Sequence, residues 1–439
     1  MRIRTEYLGR VEGEAGVSFK IEGGRLKDLR INIWEPPRFF EGMLVGRRYD
    51  EVPDIVARIC GICPVSHMLT SIRAIEKAIG FEPAPETLAA RKLMAYSQIA
   101  SSHLVHLVML ALPDYEGQGK GENSLMEVLR LPDMEKSGLL KKFTSVKEAL
   151  NGITRAFGGR ALHPVSMVVG GFTSLPGETE TRLLISALGA AERDMEDIAE
   201  MMSELKLPQF ESASVPVSLS EDGGYAVNSG LIVSGAGLEG QEDDYERLFE
   251  EKEALYSNAK KTSLKRGGQI MTGALARVSL QHRWLAPKAR KPAFLLVEGP
   301  PSQKNKNKKN KNPFHNITAQ AVELLHFWQE CKELLEAAAA SLNQGRQKPL
   351  RGIPPAREGK GSALTEAPRG LLYHSYEVDR TGTVRRANIV TPTAHNYLAM
   401  EQDLSGLVEA NIGMPEERLK GLAEMLIRAY DPCFSCSVH

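Results

Sequence analysis

The sequence predicts a mainly α protein with small β elements (α+β), a core of long helices enclosing a buried metal site. Three observations predict it. Long stretches repeat their apolar residues with a 3.6-residue period, short alternating runs mark small sheets near the N-terminus and near residues 371–390, and two Cys-x-x-Cys pairs stand near opposite ends of the chain. Residues 3–34 open with runs such as Val17-Ser18-Phe19-Lys20-Ile21 and Leu29-Arg30-Ile31-Asn32-Ile33 around Gly23-Gly24, the pattern of a hairpin. Helical periodicity then covers about 86–112, 137–157, 178–206, 241–262, 315–346 and 399–428. Leu371-Leu372-Tyr373 and Val384 to Val390, around a Thr381-Gly382 turn, predict a second β element. No linker or internal repeat divides the chain. The expectation is one domain over 1–439: an N-terminal β element at about 3–34, a helical core at about 60–346, and a C-terminal β element with a metal-binding tail at about 365–439.

With 439 residues, 42% of them hydrophobic and 25% charged, the chain can bury a large core and lacks the signature of disorder. Basic and acidic residues number 55 each, so no global charge draws it to nucleic acid or an anionic membrane. No run of roughly 18 apolar residues occurs, and the start, Met1-Arg2-Ile3-Arg4, is no signal segment; a cytoplasmic protein without a membrane span is expected. The low-complexity tract 304–312, rich in Lys and Asn, reads as a solvated surface loop or a docking patch for an acidic partner.

The cysteines are Cys60, Cys63, Cys331, Cys433 and Cys436. So few, and an odd number, argue against a disulfide framework and for metal or redox use. Two thiols three residues apart can clasp one ion, and Gly61 lets the backbone bend between Cys60 and Cys63. Pro432 fixes the entry to the second pair. Histidines follow each pair, His67 and His439. A four-cysteine structural zinc site fits this spacing. A thioredoxin-like redox pair requires a βαβ pattern that does not follow Cys63, and would leave Cys433 and Cys436 without a role. Cys331, in an amphipathic stretch with no second cysteine near it, reads as a structural thiol.

Arg58-Ile59-Cys60-Gly61-Ile62-Cys63 with His67, and Asp431-Pro432-Cys433-Phe434-Ser435-Cys436 with His439, resemble the two signature motifs of nickel-iron hydrogenase large subunits. The likeness runs on through Arg10-Val11-Glu12-Gly13, Arg38-Phe39-Phe40-Glu41, His103 to His106 with Asp114, Gly159-Arg160, His163-Pro164, Gly170-Gly171, Pro313-Phe314-His315-Asn316, Glu366-Ala367-Pro368-Arg369-Gly370, and Pro392-Thr393 with Asn396. The stretch from Glu35 to Glu41 looks most like the soluble cytoplasmic branch, with its sulfhydrogenases and NAD(P)-linked enzymes.

That resemblance implies reversible cleavage of dihydrogen, which needs a soft metal centre and a nearby base. All four paired cysteines would ligate nickel, with Cys63 and Cys436 also bridging to an iron that carries carbon monoxide and cyanide. Pro368, Arg369, Thr391, Pro392 and Thr393 would line the pocket of those ligands. Arg369 would overhang the metals, held by Asp114 and Asp431, where it would polarise hydrogen or, if its pKa were lowered, serve proton transfer. Glu12 would accept the proton beyond the terminal cysteine; Glu14 stands where many relatives carry histidine. His67 would donate toward a bridging thiolate, whereas His103 and His106 could equally be core histidines. Glu41 and His439 would hold a magnesium ion.

With no cysteines left for a cluster, an iron-sulfur small subunit is implied. Flavin and iron-sulfur subunits using NAD(P) and/or ferredoxin, nickel-insertion proteins and a maturation protease that leaves His439 as the last residue are implied as well. A hydrogen-sensing regulatory subunit with the same site is the alternative. A metal-free relative from the respiratory complex is disfavoured by the four thiols.

Overall fold

The computed structural model describes residues 1–116, 124–298, 310–343 and 352–438. Strands β1 (Arg2–Thr5), β2 (Ala15–Glu22) and β3 (Arg25–Ile33) form an antiparallel sheet. Its β2–β3 hairpin turns at Gly23-Gly24, where both glycines have positive φ. A short helix, α1 (Phe40–Leu44), leads to the first cysteine loop, from which α2 (Pro64–Ile79) departs with proline in its first turn. Helices α3 (Pro85–Val105), α4 (Leu139–Gly158) and α5 (Glu178–Ser203) follow. Beyond Val105, α3 passes through a π-helical turn (His106–Ala111) and one more helical turn (Leu112–Glu116). The stretch Pro85–Glu116 is long and apolar enough to cross a membrane by length and composition, which the search for unbroken apolar runs did not signal. In its most apolar window 78% of residues are buried inside the protein, as in a core helix.

The predicted helix over 241–262 is not one. After strands β4 (Val215–Ser220) and β5 (Leu231–Ser234), one turn at Tyr245–Leu248 gives way to the antiparallel hairpin of β6 (Phe249–Ala254) and β7 (Ser257–Leu264). Its Glu- and Lys-rich composition favours helix locally, but Phe249 and Leu264 pair across the ladder and bury together in a second apolar cluster. Tertiary burial overrides propensity here. The helical core expected over 60–346 therefore contains a β region.

Then come α6 (Ala274–Gln281), α7 (Pro287–Glu298) and the long α8 (Asn316–Asn343), which packs on α5 and α3. Strands β8 (Gly359–Ala367), β9 (Gly370–Val378) and β10 (Val384–Val390) make an antiparallel sheet that lies against α2. The stretch predicted as one helix over 399–428 is two, α9 (Pro392–Ala410) and α10 (Glu416–Ala429), because Gly413 and Pro415 interrupt the hydrogen-bond ladder. Residues 304–309 of the Lys/Asn tract lie outside the described residues. Its last residue, Asn312, is buried: its side chain accepts from the Phe314 N–H and donates to the Pro208 carbonyl.

Candidate metal centre

The first cysteine loop builds itself. Cys60 ends a 3₁₀ turn, and its sulfur accepts the backbone N–H groups of Ile62 and Cys63, each at 3.3 Å. Cys63 caps the N-terminus of α2, where the helix dipole favours negative charge. The thiol of Cys63 donating to it, with the Cys63 N–H, holds Cys60 below its ordinary pKa, while that same hydrogen bond and burial push Cys63 up. The pair is thus disposed to carry its first negative charge on Cys60.

The second loop is assembled from distant parts. Asp431 adopts a left-handed backbone (φ 50°), a conformation an aspartate tolerates, and turns the chain in just before Pro432. The Cys433 N–H donates to Thr393 Oγ1 at 2.9 Å, and the Phe434 N–H to the Glu12 carbonyl at 2.8 Å. Gly13 has positive φ (84°), and a Cβ there would meet the Ser435 nitrogen at 2.5 Å, so only glycine admits this approach. Arg38 ties the two loops together, donating to the carbonyls of Ile59 at 2.7 Å and Ser435 at 2.5 Å.

The four sulfurs meet as a result. Those of Cys60, Cys63, Cys433 and Cys436 all lie within 4.8 Å of one another, each residue buried, the one such cluster among the described residues. Cys60 is 3.6 Å from Cys433 and Cys63 is 3.8 Å from Cys436, sulfur to sulfur. The Cys433 and Cys436 sulfurs stand in contact with each other as well. Glu12 Oε2 stands 2.8 Å from the Cys433 sulfur and accepts from the Ser435 N–H at 3.3 Å, while Oε1 accepts from the Ser435 hydroxyl. The residue is half-buried, between the sulfurs and solvent. Cys331 is buried apart from this cluster, its thiol pushed up by burial.

Arg369 lies beside the cluster on the tight turn joining β8 to β9. Its Nε donates to the Asp431 carbonyl at 2.7 Å, and its Nη2 is 3.0 Å from Asp431 Oδ1. Burial opposes its charge, but Asp431, the Cys63 and Cys60 sulfurs and Glu12 together raise its pKa above the ordinary arginine value. That direction runs against the lowered pKa that proton transfer at Arg369 would need. Asp431 is steadied in turn by Gln320, whose amide donates to Oδ2 at 3.0 Å and whose oxygen meets His106.

Asp114 is not on Arg369. Its oxygens accept from Arg428, at 2.6 and 2.7 Å, and from Arg10 at 2.5 Å, while Arg369 pairs with Asp431. His67 Nδ1 lies 3.2 Å from Nε2 of His374, whose Nδ1 meets the Tyr376 hydroxyl. His103 is a core histidine, bonded to Glu323 at 2.7 Å. Glu41, on α1, accepts from the Ile389 N–H at 2.8 Å, and its expected magnesium partner His439 lies outside the described residues. Glu14 accepts from the Tyr7 hydroxyl at 3.0 Å.

The residues fit a metal group. Four soft sulfur donors converge, and two buried polar atoms, Arg369 Nη1 and Thr391 Oγ1, have no partner among the described residues. Pro368, Pro392 and Thr393 are buried with them. Sequence reading missed Arg38, Gln320 and Arg428 as fixers of this site; only their long side chains, able to reach two carbonyls or a carboxylate, hinted at it.

A family model described as nickel-dependent hydrogenase matches residues 38–117 and 236–439, which takes in both cysteine loops. The chain belongs to the nickel-dependent hydrogenase family. Along its whole length this hydrogenase chain is similar to the sulfhydrogenase 1 subunit alpha of Pyrococcus furiosus, with 35% identity covering 97% of that relative. It is similar as well to the NAD-reducing hydrogenase subunit beta of Cupriavidus necator, with 26% identity covering 100% of this chain and 94% of the relative. The solved structure of an NAD+-reducing NiFe-hydrogenase in the H2-reduced state superposes with a TM-score of 0.82 at 26% identity, covering 100% of this chain and 99% of that one. The family's description names nickel, and the four-thiol cluster, for which spacing alone left zinc open, could bind it.

Proposed function

We propose that this chain is the catalytic subunit of a cytoplasmic nickel-iron hydrogenase that cleaves dihydrogen reversibly. One observation carries the reading: four buried cysteine sulfurs within 4.8 Å of one another, with a carboxylate 2.8 Å from one of them. Cys60, Cys63, Cys433 and Cys436 would hold nickel together with an iron bearing carbon monoxide and cyanide. When bound, these metals supply the heterolytic activation of dihydrogen.

The chain's residues do the rest. The Cys433 sulfur passes a proton to Glu12 Oε2, the Ser435 N–H and hydroxyl steady the carboxylate that receives it, and the half-exposed position of Glu12 opens the way to solvent. Arg369, held by Asp431, keeps a permanent positive charge against the sulfurs. Its Nη1 and the Thr391 hydroxyl would be available as donors to the iron's cyanide ligands, beside Pro368, Pro392 and Thr393. His67 would donate toward the thiolates. Glu41 and His439 would hold magnesium near the tail.

Residues 1–439 act as a single large-subunit domain. Electrons leave through an iron-sulfur small subunit to flavin and iron-sulfur partners that use NAD(P) and/or ferredoxin, a reading supported by the names of the relatives. Nickel-insertion proteins and a maturation protease complete the centre. Metal analysis of the purified large subunit with infrared spectroscopy of bound carbon monoxide and cyanide is the test. Equimolar nickel and iron with those bands is expected; zinc alone, without bands, overturns the reading.

A further inference from the structure

The turn that carries Arg369 is buried. Pro368 and Arg369 are the two residues joining β8 to β9, with Ala367 paired to Gly370 across the hairpin. Tight turns normally lie at the surface, where water satisfies their carbonyls. Here Ala367 is 2% exposed and Arg369 4%, so the turn's carbonyls need donors from the protein itself.

Arg277 on α6 supplies two of them. Fully buried, it donates from Nη1 to the Ala367 carbonyl at 3.0 Å and from Nη2 to the Pro368 carbonyl at 3.1 Å. Its Nε and Nη2 grip the two oxygens of Glu323, each at 2.6 Å, and Nη1 reaches Glu366 Oε2 at 3.1 Å. The five N–H groups of a guanidinium thus meet five acceptors. The third carbonyl, that of Arg369, accepts from Asn396 Nδ2 at 3.3 Å. Burial would lift Glu323, but Arg277 and His103 hold it below the carboxylate range, and burial lifts Glu366 to about 7; Glu323 is therefore the main counter-charge.

We propose that Arg277 is a positioning residue for Arg369: it substitutes for water at the carbonyls of the Pro368-Arg369 turn and so fixes where the Arg369 guanidinium stands against the four sulfurs. Glu323 keeps it charged and oriented. A lysine would keep the charge but, as a point donor, could not span Glu323 and both carbonyls. The inference rests on the proposed metal reading, because Arg369 matters to turnover only beside the metals.

The test compares Arg277→Lys with Arg91→Lys in the purified nickel-loaded complex. Arg91 is a control of the same kind, equally buried, bidentate to Glu76 at 2.7 and 2.8 Å and donating to one carbonyl, Val168, but away from the cysteines. Arg277→Lys is expected to keep its nickel, to lower kcat per nickel by about 10²-fold with KM for hydrogen little changed, and to speed amide exchange from Gly370 to Leu372. Arg91→Lys is expected to lose thermal stability while kcat per nickel and that exchange stay near the parent's. Full kcat per nickel in Arg277→Lys, or an equal loss in Arg91→Lys, overturns the proposal. If Arg277→Lys yields no complex, Asn396→Ala frees the third carbonyl, along with the bonds Asn396 makes to Thr272 behind the same turn, and should lower kcat per nickel; full activity there overturns it too. If the parent itself holds no nickel, the metal reading falls, and exchange at Gly370 judges the clamp alone: faster in Arg277→Lys than in Arg91→Lys sustains it, no difference overturns it.

Discussion

The two cysteine loops offer the same pair of thiols but are built in opposite ways. The Cys60–Cys63 loop is local: its sulfur is hydrogen-bonded by N–H groups two and three residues on, and a helix starts at Pro64. The Cys433–Cys436 loop takes its shape from Glu12, Gly13, Arg38 and Thr393, residues far off in sequence. The first half of the site can form with α2; the second exists only once the N-terminal segment has closed over the tail. A site whose halves form at different stages suits late metal loading, since four thiolates do not converge until the tail docks.

The sharpest way to break this comparison is to remove one thiol from each half. Cys60→Ser and Cys436→Ser should both abolish turnover, a loss of at least about 10³-fold, because removing a ligand removes the centre and not merely a step. The halves should differ in stability without metal: Cys436→Ser should leave the N-terminal loop's amide protection intact. Equal loss of protection in both loops on either substitution would show that the halves are not independent.

Glu12 tests the junction itself. Glu12→Gln keeps the carbonyl that Phe434 N–H uses but removes the proton acceptor, and kcat should fall about 10²- to 10⁴-fold with nickel retained. Glu12→Asp should recover part of that rate. If Glu12→Gln turned over at the parent rate, the carboxylate would be only a brace for Ser435.

These differences also explain what the sequence could disclose. The thiols, their grouping and the long helices were legible because local spacing and 3.6-residue periodicity encode them. The segment 241–262 misled because its Glu and Lys residues carry helix propensity, while the pairing of Phe249 with Leu264 depends on partners no local window contains. Asp114 was assigned to the wrong arginine for a like reason: two buried arginines, Arg369 and Arg428, and the half-buried Arg10 converge near two aspartates, and only geometry sorts the pairs. Arg38 was quoted within a motif, yet nothing in the motif says that its guanidinium bridges Ile59 to Ser435.

Arg38→Ala should therefore hurt one half more than the other. It deletes charge-assisted hydrogen bonds to the carbonyls of Arg58, Ile59 and Ser435, about 2–4 kcal/mol of stability, and the tail, whose loop takes its shape from distant residues, should carry the loss. The expected signature is a lower thermal midpoint with faster amide exchange at Phe434 to Ser437 and weaker nickel retention. Faster exchange confined to Ile59 to Cys63 would reverse the assignment of which loop depends on the bridge.

The smallest effect concerns the approach to the second loop. Asp403 on α9 accepts from Ser212 Oγ at 2.7 Å and from the Tyr430 hydroxyl at 2.5 Å, and so anchors the residue just before Asp431. Burial lifts its carboxyl to about 6, against the two hydrogen bonds that lower it. With the folded value above the unfolded one, near 3.8, the folded state binds the extra proton between these two values. Stability from this group is therefore fullest below the unfolded value, falls as pH rises toward 6, and is flat above, a change on the order of 2 kcal/mol. Asp403→Asn keeps an acceptor for Tyr430 and cannot ionise, so the drop between pH 4 and 6 should shrink in the thermal midpoint measured across that range. A parent whose midpoint rises over that window at Asp403 but not in Asp403→Asn would give the linkage the opposite sign, and would mean that the Tyr430 anchor works through the carboxylate, tying the tail to pH from the alkaline side instead.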